Sequence, residues 1–168
     1  NRNVHNLKVV NEWKRIASGR RTIVFCSTVQ HAFDVMTAFV EDGIRSDLVT
    51  GETPEAERRD ILSRFDRGEI DVLCNVAVLT EGYDSQAASC IILLRPCSYK
   101  STMIQMIGRG LRTVTDTARY PGVVKTDCLV LDFGTSILAH GDLESGLQLD
   151  DRQKVCRTCG AEVPFGTT

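Results

Sequence analysis

Ile23-Val24-Phe25-Cys26-Ser27-Thr28 runs straight into Val29-Gln30-His31-Ala32-Phe33-Asp34-Val35-Met36, and the change of pattern between them decides the fold. Thr22 to Cys26 is a short, β-branched, almost continuously apolar run, which reads as a strand buried on both faces. From Val29 the apolar residues recur at Val29, Ala32, Phe33, Met36 and Val40, the spacing of one helix face. Ser27 or Thr28 is placed to cap that helix, and Gly43 lies just beyond its end.

The same switch repeats outward from this point. Upstream, Val4, Leu7, Val10, Trp13 and Ala17 predict an amphipathic helix over roughly 3–18. Downstream, 46–50 reads as a strand. Thr53-Pro54 opens a helix with Pro at its first position, Ile61, Leu62 and Phe65 face its core, and Gly68 ends it. Residues 70–76, 90–94 and 128–132 read as three further strands, with a helix from Ser101 to Leu111 between the last two. Alternating strands and helices predict an α/β domain with a mostly parallel sheet covered by helices on both faces. Ligands of such sheets bind outside the carboxyl ends of the strands. The places to search are therefore Ser27-Thr28, Thr50-Gly51, residues 77–84 and the stretch after Leu94.

The 168 residues are 42% hydrophobic and 25% charged, enough for one domain with a core and some additional peptide. The formal net charge of -2 excludes a broadly basic surface. Any contact with nucleic acid must be local and must use backbone amides and hydroxyls. Of seven cysteines, Cys26, Cys74, Cys90 and Cys128 sit in apolar strand runs and read as core. No disulfide framework, signal peptide or membrane span stands out, so a reducing compartment is expected: cytoplasmic, or nuclear in a eukaryote. The chain does not begin with Met and stops shortly after a Cys pair, so a fragment of a longer protein is expected.

Three segments carry candidate chemistry. In Gln105-Met106-Ile107-Gly108-Arg109-Gly110-Leu111-Arg112, helical geometry would put Gln105, Arg109 and Arg112 on one face. Ile104, Ile107 and Leu111 would then form the packed stripe. Two guanidiniums beside glycines suit a phosphate, with the glycines allowing close approach. A solvated basic face near a helix end has the same spacing. Leu79-Thr80-Glu81-Gly82-Tyr83-Asp84 is a polar turn after a strand, where Asp84 either meets a ribose hydroxyl or amide or simply caps a helix. Val49-Thr50-Gly51-Glu52-Thr53-Pro54 is either a phosphate clamp of amides and hydroxyls or an ordinary capping device, and Ser27-Thr28 has the same two readings.

Taken in order, the segments resemble the second RecA-like domain of superfamily 2 helicases over roughly 20–135. Residues 23–28 resemble motif IV. Thr50-Gly51, the helix carrying Arg58 and residues 65–73 resemble the stretch before motif V. Thr80-Glu81-Gly82-Tyr83-Asp84 resembles motif V, and residues 105–112 match the Q-x-x-G-R-x-x-R form of motif VI. The resemblance implies a three-layer RecA-like domain over 1–138 and an ATP site shared with an upstream RecA-like domain. Arg109 and Arg112, with Gln105, would be catalytic, and Glu81, Gly82, Asp84 and Gly108 would face ATP. Ser27, Thr28, Thr50, Gly51 and Thr80 would touch nucleic acid. No G-x-x-x-x-G-K-[ST] loop or acidic D-E-x-[HD] motif occurs, so ATP and Mg²⁺ would be bound mainly by the upstream domain. Gln105 stands where DEAD-box RNA helicases carry His, and Glu81 where they carry Arg, which favours DNA over RNA. Ser85-Gln86 replaces the Val-Pro or Ile-Pro that follows motif V in many relatives. The alternative is a catalytically silent RecA-like adaptor or nucleic-acid-binding module, whose mark would be loss of a motif VI arginine.

The tail, 139–168, contains Cys156-Arg157-Thr158-Cys159-Gly160, half the ligand set of a structural Zn²⁺ site. The expected zinc ribbon is truncated, so Cys156 and Cys159 would hold metal only in a longer protein, with His140 as a remote third candidate.

Overall fold

The computed structural model describes residues 2–76, 78, 85–97, 99–120, 123–141, 154–155 and 162–163. Its main sheet has five strands: β1 (Thr22–Phe25), β2 (Ser46–Val49), β3 (Val72–Asn75), β4 (Cys90–Leu93) and β5 (Leu129–Asp132). Their order is β2-β3-β1-β4-β5 and every pairing is parallel. The helices are α1 (Arg2–Ile16), α2 (Val29–Glu41), α3 (Glu55–Arg67), α4 (Lys100–Gly108) and the short α5 (Ser136–His140). A two-stranded antiparallel pair, β6 (Lys154–Val155) with β7 (Glu162–Val163), flanks Cys156 and Cys159 in sequence.

β1 is central, with Ile23 opposite both Leu73 and Ile91. Strand side chains alternate between faces, and both faces are covered. Val24, Cys26, Cys74 and Ile92 pack under α1 and α2 with Val10, Trp13, Val35 and Phe39. Ile23, Phe25, Leu73 and Ile91 pack under α3 and α4 with Ile61, Phe65, Met103 and Met106. This three-layer arrangement is the RecA-like fold. It explains why the fully buried β1, β3 and β4 read as nearly unbroken apolar runs, while the edge strand β2 carries Ser46 and Asp47. Trp13 Nε1 donates to Thr22 Oγ1 at 2.6 Å, and the Trp13 ring meets Phe39 edge to face at 5.7 Å. At the end of β3 the buried Asn75 donates to the Val24 carbonyl at 2.9 Å, tying β3 to β1 by a side chain as well as the ladder.

Several helix boundaries and faces differ from the sequence reading. One expectation holds: of the two candidate caps Thr28 caps α2, accepting from His31 N at 3.2 Å. Phe33 is 50% exposed and Leu7 is 52% exposed, although both fit a helical apolar stripe. Helix α2 carries apolar residues on two faces, and the sheet takes Ala32, Val35 and Phe39. Pro54 is the N-cap of α3, one position earlier than expected, in extended conformation with φ -54° and ψ 146°. The Thr50–Thr53 turn is closed first, by Thr50 N donating to Thr53 Oγ1 at 2.9 Å, and the helix begins after it. Gly43 and Gly68 take left-handed φ of 80° and 79°, as the helix ends require.

Phe39 is fully buried and holds both Trp13 and the sheet face. Phe39→Ala is expected to lower the unfolding free energy by about 3–5 kcal/mol, measured by urea denaturation of this chain.

Candidate functional site

The parallel sheet sends every strand's carboxyl end to one edge. Cys26-Ser27-Thr28 leaves β1 there and Thr50-Gly51 leaves β2. Ser27 Oγ lies 3.4 Å from the Leu94 carbonyl at the end of β4, and Thr28 Oγ1 is engaged as the α2 cap. Both residues are exposed. Thr50 is buried at 7% exposure. Its hydroxyl accepts from Glu52 N at 3.2 Å, and Arg58 Nη2 donates to the Thr50 carbonyl at 3.1 Å. Arg58 thus props this turn from the first turns of α3. Its Nε is buried without a partner among the described residues. Gly51 is exposed, and a Cβ there would meet nothing within 4 Å. The turn therefore presents open backbone on a preformed frame. Arg58 is a support that sequence reading placed only as part of a helix. The signal was an arginine facing back across its own N-terminal turn.

The arginine segment lies elsewhere. Helix α4 begins after the carboxyl end of β4 and runs back along the sheet. It ends at Gly108, with Arg109 as its cap. From there the backbone tightens to three-residue hydrogen bonds, Gly110 N to Ile107 O at 2.8 Å and Leu111 N to Gly108 O at 3.3 Å. Arg112 is consequently beyond the helix, and the expected single face holding Gln105, Arg109 and Arg112 does not form as a helical stripe. The packed stripe is also shifted: Met103, Met106 and Ile107 are buried and Leu111 is 56% exposed. The cause is Gly110. A Cβ there would lie 2.6 Å from Ile91 Cγ1 and closer still to Cys128 Sγ. What approaches this glycine is the core at the amino ends of β4 and β5, not a ligand. Gly108, by contrast, has nothing within 4 Å of its missing Cβ. Gln105 and Arg112 are exposed, and Arg109 is half-buried. A cavity of about 150 Å³ opens beside Gly110, Arg112, Lys125 and Cys128.

Next to this segment is a cluster that the sequence did not announce. Asp66, buried at the end of α3, accepts from Ser85 Oγ at 2.9 Å and from Arg119 Nη2 at 2.6 Å and Nε at 3.2 Å. Tyr120 Oη lies 3.4 Å from the same carboxylate, and the Arg119 guanidinium stacks 5.3 Å from the Tyr120 ring centre. Arg21 donates to the Asp66 carbonyl as well.

Thr80, Glu81, Gly82 and Asp84 lie outside the described residues, as do Cys156 and Cys159. Burial pushes the thiols of Cys26 and Cys90 up to about 12 and that of Cys74 well above its ordinary value. These cysteines are core thiols with no thiolate chemistry. Among the described residues no three His, Cys, Asp or Glu side chains gather to hold a metal, and no helix is long and apolar enough to cross a membrane. His140 Nε2 lies 2.5 Å from the Cys97 carbonyl.

The sequence matches the helicase conserved C-terminal domain family over residues 4–114. The chain belongs to that family. It is 36% identical over 127 residues to a Saccharomyces cerevisiae protein, IRC3, whose name calls it a candidate ATP-dependent helicase; the match covers 76% of this chain and 17% of that protein. It is 39% identical over 131 residues to the Schizosaccharomyces pombe irc3 protein, named as a candidate mitochondrial ATP-dependent helicase, covering 77% of this chain and 20% of that protein. The helicase C-terminal domain thus spans about a fifth of the length of these relatives. In structure it is similar to the C-terminal domain of the DEAD-box protein Dbp5, with TM-score 0.60 and 19% identity over 77% of this chain and 69% of that one. The Escherichia coli DEAD-box protein SrmB matches with TM-score 0.61 and 20% identity over 81% of this chain and 75% of that one. Likenesses at this identity show the fold. The all-parallel sheet and the superfamily 2 helicase assignment agree with the sequence reading.

The two motif VI glycines are expected to separate in a stability measurement. Gly110→Ala should destabilise this chain by about 1–3 kcal/mol through overpacking. Gly108→Ala should be neutral or stabilise by up to about 1 kcal/mol, since alanine favours the helix and the space is open. Thermal unfolding of the two variants checks the contrast.

Proposed function

We propose that this helicase C-terminal domain is the second motor domain of an ATP-dependent helicase or translocase, and that it works on two ligands at once. The observation that carries this reading is the separation of its candidate groups. Exposed hydroxyls at Ser27 and Thr28 and open backbone at Gly51, next to the buried Thr50, lie at the carboxyl edge of the sheet, and Arg109 and Arg112 follow a helix that runs to the amino ends of β4 and β5. One phosphate cannot reach both. A nucleic-acid strand at the first place and a nucleotide at the second would use both.

In this reading Arg109 and Arg112 stabilise charge developing on the γ-phosphate, with Gln105 beside them. Glu81, Gly82, Asp84 and Gly108 face the nucleotide. ATP and Mg²⁺ are held mainly by an upstream RecA-like domain, where Mg²⁺ would neutralise phosphate charge. Ser27, Thr28, Thr50, Gly51 and Thr80 contact strand phosphates, which fix position without reading sequence. Closure of the two domains on ATP and opening after hydrolysis would change the spacing of their strand contacts and move the protein along. DNA is favoured over RNA on Gln105 and Glu81. The RecA-like unit covers 1–138. Zinc at Cys156 and Cys159 belongs to the proposal only for a longer chain, because structural sites close with four ligands.

In the full-length protein, Arg109→Ala and Arg112→Ala should each lower nucleic-acid-stimulated ATP turnover at least about a hundredfold, with a smaller change in ATP binding, since the charge they meet develops in the transition state. This chain alone should show no stimulated phosphate release. Near-normal turnover in either variant returns that arginine to a solvated basic face, and turnover by this chain alone rejects the shared site.

A further inference from the structure

Ser85 and Gln86 follow the motif V segment directly, and both are used. Ser85 donates to the buried Asp66. Gln86 grips the chain beyond motif VI: its Oε1 accepts from Thr115 N at 2.7 Å and Asp116 N at 3.2 Å, and its Nε2 donates to Thr115 Oγ1 at 3.1 Å. Lys125 closes the other side. Its Nζ donates to the Arg112 carbonyl at 2.6 Å and lies 3.5 Å from the Gln86 carbonyl. Arg112 itself has left the helix, so α4 does not hold its backbone. Upstream, Gly110 is pressed on Ile91 and Cys128, and downstream, Arg119 is locked to Asp66.

We propose that Gln86 and Lys125 are positioning residues for Arg112, fixing its backbone and tying it to the segment after motif V. The proposal rests on the role given to Arg112 above. Three hydrogen bonds from one carboxamide to residues 115 and 116, with an ammonium on the carbonyl of 112, leave the arginine backbone little room to shift. A group that stabilises charge at a transferring phosphate loses much of its effect on displacement by about 1 Å, of order a hundredfold in rate. Lys125 is suited to hold this backbone. It is half-buried, and its ammonium reaches the carbonyl oxygens of Arg112 and Gln86.

The test is steady-state ATP hydrolysis by the full-length protein with saturating single-stranded DNA. Gln86→Leu keeps the size and removes both polar atoms; Gln86→Glu keeps the acceptor; Lys125→Met removes the ammonium and reports independently should Gln86→Leu fail to fold. Gln86→Leu and Lys125→Met are expected to lower kcat at least about tenfold with KM for ATP within about twofold, and Gln86→Glu to retain most turnover. Because both act through Arg112, adding either to Arg112→Ala should cost less than about a further twofold. Wild-type kcat in Gln86→Leu and Lys125→Met beside an inactive Arg112→Ala overturns the proposal and leaves the function of Arg112 intact. The same full loss in the Arg112→Ala background also overturns it, since the residues would then act elsewhere. Normal turnover in Arg112→Ala itself removes the role of Arg112, and this inference with it.

Discussion

The close packing of Gly110 on Ile91 and Cys128 is the constraint on which the motif VI region depends. A glycine lets the backbone come down onto the sheet where any side chain would hold it off. With that contact α4 ends at Gly108, the next turn tightens, and Arg109 caps the helix while Arg112 lies beyond it. The arginines are therefore placed by the core through one glycine. Helical periodicity does not place them. For the proposed role of the arginines this matters, because packed interiors resist deformation.

Asp66 plays the complementary part on the other side of the segment. Burying a carboxylate is costly unless it is paired and hydrogen-bonded. Here it gathers Ser85, Arg119 and Tyr120. The result joins the end of α3, the segment after motif V and the loop after motif VI into one polar cluster. The opposite edge of the sheet is built differently. At Thr50–Thr53 the supporting charge is Arg58, which satisfies carbonyls and leaves Gly51 uncovered. One end of the domain is thus braced by a buried carboxylate, and the turn at the other by an arginine.

Strands β1, β3 and β4 were legible in the sequence because burial on both faces removes the polar alternation that would blur them. The α4 end and the α2 face were not. Helix α2 has apolar residues on two sides, so spacing alone could not say whether Phe33 or Phe39 goes inward; the sheet chose Phe39. Gly110 read as room for a ligand, because a glycine needed for packing and one needed for binding look the same in a sequence. The Asp66 cluster was invisible for another reason: its partners lie 19 to 54 residues away in sequence, beyond any local pattern. The order of Thr28, Thr50, Arg109 and Arg112 along the chain was readable, but their division between two edges of the sheet needed the topology.

The central claim is that this helicase C-terminal domain supplies arginine to a nucleotide held by its upstream partner. A structure of the full-length protein trapped with ADP, a fluoride mimic of the transferring phosphate and single-stranded DNA tests it most directly. The expected result is the Arg112 guanidinium within hydrogen-bond distance of the fluoride, about 3 Å, while Thr50 and Gly51 meet strand phosphates. Both arginines standing clear of the mimic in an active protein would contradict it.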